Sequence, residues 1–169
     1  MARTVITPGF NSVTGSYLGD GLDGRIIECG FSPDVLFIKG DTAQYAVFRT
    51  SAMSGDKTAT LGNNVGANFA DAIQTFETLG FSVGTNATVT SSGVRYYYHA
   101  LKASSGVDIK VGSYVGNAAD NREITGVGFQ PNFVLVKADG NGYGVFRDSG
   151  DVGDIGHVTT SAEADAADY

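Results

Sequence analysis

Three groups of side chains in this sequence could do chemistry. The first is Arg95, Tyr97 and His99, spaced by two within VRYYYHAL. A period of two places them on one side of an extended strand. An aromatic ring between a guanidinium and an imidazole offers a stacking surface for a sugar ring or a neighbouring protein. These three are the ligand-binding candidates. The second is the loop Gly19-Asp20-Gly21-Leu22-Asp23-Gly24, whose Asp20 and Asp23 place oxygen donors as calcium would require. The third is a charged set, Lys39, Asp41 and Arg49, which recurs as Lys137, Asp139 and Arg147. Its expected role is a structural ion pair, Arg49 with Asp41 and Arg147 with Asp139.

Other reactive patterns are weaker. Two histidines and one cysteine supply no zinc spacing. Gly80-Phe81-Ser82-Val83-Gly84 has the letters of a G-x-S-x-G elbow but reads as a strand, and no Walker loop or dinucleotide fingerprint stands in a strand-to-helix context. Cys29 stands opposite Val127 in an internal comparison and so reads as a small buried apolar residue. No catalytic residue and no cofactor are expected.

That comparison comes from a repeat. GSYLGDGLDGRII (15–27) matches GSYVGNAADNREI (112–124), and GFSPDVLFIKGDTAQYAVFRTS (30–51) matches GFQPNFVLVKADGNGYGVFRDS (128–149). In the second copy the acidic loop becomes Gly116-Asn117-Ala118-Ala119-Asp120-Asn121, with fewer carboxylates. A feature in both copies belongs to the fold, and a feature in one copy is a candidate for function. By this test the loop at Asp20 and Asp23 reads as a glycine-rich Asx turn before it reads as a calcium site.

The positioning elements are nearly all strands. Val35–Lys39 and Tyr45–Arg49 predict a hairpin, repeated at Phe133–Lys137 and Tyr143–Arg147 around the turn dipeptide Asp139-Gly140. Phe81–Val83 and Val94–Leu101 predict further strands. Phe69, Ile73 and Phe76 fit either a short helix or an irregular strand. The fold expected is all-β, an antiparallel sandwich of jelly-roll or concanavalin-like type. The division expected is an N-terminal arm (1–14), one complete module (15–105) and a partial second copy (106–169) lacking the equivalents of 74–103.

Composition agrees and narrows the function. The chain has 169 residues, 24 of them glycine, with 17% charged residues and a net charge of −7. Acidity argues against a nucleic-acid groove. No apolar run has the length of a signal peptide or a membrane span.

The succession SYLGDGLDGR, GFSPDVLFIKG, YAVFRT, GFSVGT and YYYHALKA resembles modules of phage virion proteins and large bacterial surface proteins. The resemblance covers about 15–103 fully and 112–169 in part, and it carries no catalytic set. It implies a non-enzymatic virion structural protein, a capsid decoration or a tail or fibre component, assembled in the host cytoplasm. Expected partners are other copies of the chain, in a trimer or larger ring through 106–169, and other virion proteins. The alternative is an extracellular lectin-like module that binds a host-surface glycan.

Overall fold

The computed structural model describes residues 11–62, 67–104, 108–153, 155–159 and 166–167. Two antiparallel sheets face each other in the first part of the chain. One contains β1 (Asn11–Leu18), β3 (Val35–Gly40), β4 (Val47–Thr50), β5 (Ala59–Thr60) and β8 (Arg95–Lys102), in the order β1-β8-β3-β4-β5. The other contains β2 (Arg25–Glu28), β6 (Ile73–Glu77) and β7 (Gly80–Val83), in the order β2-β7-β6. A short helix α1 (Ala87–Thr90) leads into β8. Strand pairing reaches back to Asn11, inside the stretch read as an arm, because Val13 packs against the core. Residues 1–10 lie outside the described residues.

Alternation explains the sandwich. Leu36 and Ile38 of β3, Val47 of β4, and Tyr96 and Ala100 of β8 point inward and are buried. They meet Ile27, Ile73, Phe81 and Val83 from the facing sheet. Tyr17 stacks on Tyr96 at 5.4 Å, and Phe81 meets Tyr98 edge-on at 5.2 Å. Aromatic pairs of this kind add to the burial itself. Cys29 lies in the same core, as the comparison of copies expects, and burial pushes its thiol up.

The segment left open between helix and strand is β6. Its register slips between Ile73 and Thr75, so Gln74 is an extra residue. A bulge turns the two-residue period into a three-residue one, which imitates a helix in the sequence.

The later part of the chain forms a separate sheet. It contains β9 (Phe133–Lys137), β10 (Gly144–Asp148), β11 (Ile155–Val158) and β12 (Ala166–Ala167), in the order β12-β11-β10-β9. The two expected hairpins share one register: Val35↔Thr50 and Ile38↔Val47 recur as Phe133↔Asp148 and Val136↔Val145. The match extends beyond the sequence repeat. Val47↔Thr60 and Phe48↔Ala59 recur as Val145↔Val158 and Phe146↔His157, so β11 stands where β5 stands. Residues 108–132 form no strand. Among the described residues, no helix is long and apolar enough to cross a membrane.

Candidate functional site

Arg95, Tyr97 and His99 do come together, on the outer face of the five-stranded sheet. The register sets Tyr97 between Ser16 and Lys39, and His99 between Thr14 and Phe37. His99 Nε2 lies 2.7 Å from Ser12 Oγ, and Arg95 Nη1 donates to Ser16 Oγ at 3.3 Å. Tyr97 keeps 52% of its surface exposed, while Tyr96 beside it is fully buried. Tyr97 and His99, but not Arg95, line a shallow cleft of about 500 Å³ with Phe37 and Lys39. Its lining has hydroxyls, a ring, an imidazole and an ammonium, but no carboxylate. Such a face can stack and hydrogen-bond a ligand; it has no carboxylate pair for glycoside hydrolysis.

The acidic loop is occupied by its own neighbours. Asp20 Oδ1 accepts from the Leu22 amide at 3.0 Å, and Asp20 Oδ2 pairs with Arg25 Nη1 at 3.1 Å. The Leu22 amide, followed by the Arg25 charge, holds the Asp20 carboxyl below its ordinary value. Asp23 accepts from Gln74 Nε2 at 2.8 Å. Among the described residues, no group of three His, Cys, Asp or Glu side chains converges as a metal would need.

The charged set is corrected. Arg49 does not pair with Asp41. It is buried and donates to the carbonyls of Lys57, Ile73, Met53 and Gly55. The reason is alternation: Arg49 lies opposite Leu36 and shares the inward side of β4 with Val47. Asp41, past the end of β3, is exposed. Arg147 donates to the carbonyl of Gly153, as Arg49 does to Gly55. Asp139 pairs with Lys57 rather than with Arg147, and the Lys57 hydrogen bond lowers its carboxyl. Lys39 donates to the turn carbonyls of Gly40 and Thr42, and Lys137 likewise to Ala138 and Gly140. These cations hold turns together.

A second surface was not legible in the sequence at residue level. It is the face of the later sheet, and comparison with the first sheet defines it. Leu36 and Ile38 are 0% and 1% exposed, whereas Val134 and Val136 at the same register are 43% and 38% exposed. Tyr17 and Ile27 are 6% and 9% exposed, against 50% and 45% for Tyr114 and Ile124. Together Tyr114, Ile124, Val134, Val136 and Ile155 line a cleft of about 810 Å³. Edge strand β9 borders it. At the far side of this sheet His157 Nε2 contacts Asp151 Oδ1 at 2.7 Å, and the His157 ring stacks on Phe146 at 5.1 Å. His157 replaces Ala59, so the pair belongs to the later sheet alone.

No known protein family, curated protein or solved structure matches this chain.

Proposed function

We propose that the chain is a non-enzymatic structural protein of a phage virion, a capsid decoration or a tail or fibre component, that works by docking onto other protein chains. The observation that carries this reading is the open face of the later sheet. A contiguous apolar face rimmed by polar residues is what protein interfaces use. Its partners would be further copies of the chain and other virion proteins. The resemblance of the GFSPDVLFIKG and YYYHALKA segments to virion modules supports the location. The net charge of −7 suits a shell component that must not hold packaged nucleic acid. The test is mass spectrometry of purified particles from cells that make the chain. The expected result is the chain at a fixed ratio to the major shell protein; its absence from particles overturns the reading.

A second reading rests on a different observation, the exposed Tyr97 between Arg95 and His99 on the outer sheet face. Here the chain binds a host-surface glycan as an extracellular lectin-like module. A glycan array tests it: binding lost in Tyr97→Ala supports it, and an array without any signal removes it.

A further inference from the structure

We propose that the later sheet accepts one β-strand from another protein chain, docked antiparallel along β9 and patterned on its inner side like β8. This rests on the docking function proposed above and names the partner's chemistry.

The first sandwich specifies the occupant. There β8 lies between β1 and β3, with Ala100 opposite Leu36 and Tyr98 opposite Ile38. In the later sheet β9 has the register of β3 but, among the described residues, is the edge strand, and Val134 and Val136 lie uncovered where Leu36 and Ile38 are buried. The Asn132 carbonyl accepts from the Ser149 amide, so Asn132 faces β10. The alternation of an antiparallel ladder then turns the N–H and C=O groups of Phe133, Leu135 and Lys137 outward. A sheet edge of this kind accepts an added strand by main-chain hydrogen bonds, with side-chain pockets setting the choice.

The segment that matches β1 and β2 tells the same story. Arg122 donates to the Val115 carbonyl and lies 5.7 Å over the Tyr114 ring. Arg25 makes the matching contacts with Leu18 and, at 5.6 Å, with Tyr17. The local geometry is therefore set, yet 108–132 forms no strand. In the first sandwich β1 pairs with β8 and β2 with β7, and among the described residues no strand of the later sheet takes either place.

Two glycines record the shape of the missing neighbour. A Cβ at Gly15 would meet the Tyr98 hydroxyl and ring at 2.4–2.6 Å, and one at Gly19 would meet the Ser91 carbonyl oxygen at 2.3 Å. Their equivalents Gly112 and Gly116 have nothing within 4 Å. Both places are kept clear for a chain segment lying where α1 and β8 lie. One position differs. Gly40 leaves room for the Tyr96 ring at 2.6 Å, and Ala138 takes its place in the later sheet. The docked strand therefore has a residue smaller than tyrosine where β8 has Tyr96.

The test uses the unaltered full chain and three synthetic peptides spanning Gly93–Ala103. The first has Tyr96→Ser, the second is native, and the third has Tyr98→Asp with Ala100→Asp. Amide hydrogen exchange is followed at Phe133, Leu135 and Lys137. The first peptide should slow exchange at Leu135 by about tenfold or more, the native peptide less, and the third not at all. Unchanged exchange with the first peptide overturns the proposal, as does equal slowing by the third. Protection that rises with protein concentration alone, through β9 pairing with β9 of a second copy, also overturns it. None of these results alters whether the chain is found in particles, so the virion reading stands or falls separately.

Discussion

At the scale of single residues, the arginines separate burial from sequence proximity. Arg49 is buried and donates to four carbonyls, of which Ile73 also accepts from Thr58 Oγ1. Arg49→Ala removes these bonds and the buried side chain that makes them, and the expected loss is about 3 kcal/mol in urea unfolding. Arg147→Ala removes a more exposed donor, and the expected loss is about 0–1 kcal/mol. Equal losses at both positions would contradict the burial difference. In the sequence Asp41 is the repeated carboxylate nearest to Arg49, which favours that pairing. Alternation from Val47 was the better signal, since it sends Arg49 inward. A pH response belongs here too. Hydrogen bonds from His157, and then from the Asp148 amide, hold the Asp151 carboxyl below its ordinary value. A lowered folded-state value means the stabilisation is complete above the unfolded value, about 3.9, and fades as pH falls through the folded one. Exchange protection of Gly156–Val158 should therefore drop as pH is lowered below about 4. Asp151→Asn should remove that dependence.

At the scale of elements, paired glycines give the sharpest comparison. Gly15→Ala drives a methyl into the Tyr98 ring and should cost about 1–3 kcal/mol, whereas Gly112→Ala should stay within about 0.5 kcal/mol. Thermal and urea unfolding of the two variants checks this. Both hairpins were legible because β-branched and aromatic residues cluster on either side of a turn. Other elements were hidden for identifiable reasons. The bulge at Gln74 disguised β6. Helix α1 has four residues and is held by the Asn86 cap and by the Tyr96 hydroxyl on the Ala87 carbonyl, contacts from outside its own pattern. Strand β5 has two residues, too few for any period. The candidate triplet Arg95, Tyr97 and His99 was legible because a period of two alone puts it on one face. An uncovered face in the second copy follows from its missing equivalents of 74–103, but its place at Val134 and Val136 does not follow from residue type, because the same types are buried in the first copy.

At the scale of the whole molecule, the closed sandwich and the open sheet should behave differently in solution. Apolar faces associate more strongly in sulfate, which raises the effective cost of exposed apolar surface. Light scattering should therefore show a mass that grows with protein and sulfate concentration through side-chain contact of this face, without protection of the outward amides of Phe133, Leu135 and Lys137. Val134→Lys should reduce that growth. A mass unaffected by Val134→Lys would place the association elsewhere. The order of strands along the chain adds a consequence in time. β1 pairs with β8, so the first sandwich cannot close until Arg95–Lys102 has been synthesised. At roughly 5–20 residues per second, β1 waits several seconds for its partner. Strands β9, β10 and β11 follow one another and zip locally, without a distant partner. The earlier half of the protein is thus the slower to finish, and the later sheet reaches its unclosed form almost as soon as it leaves the ribosome.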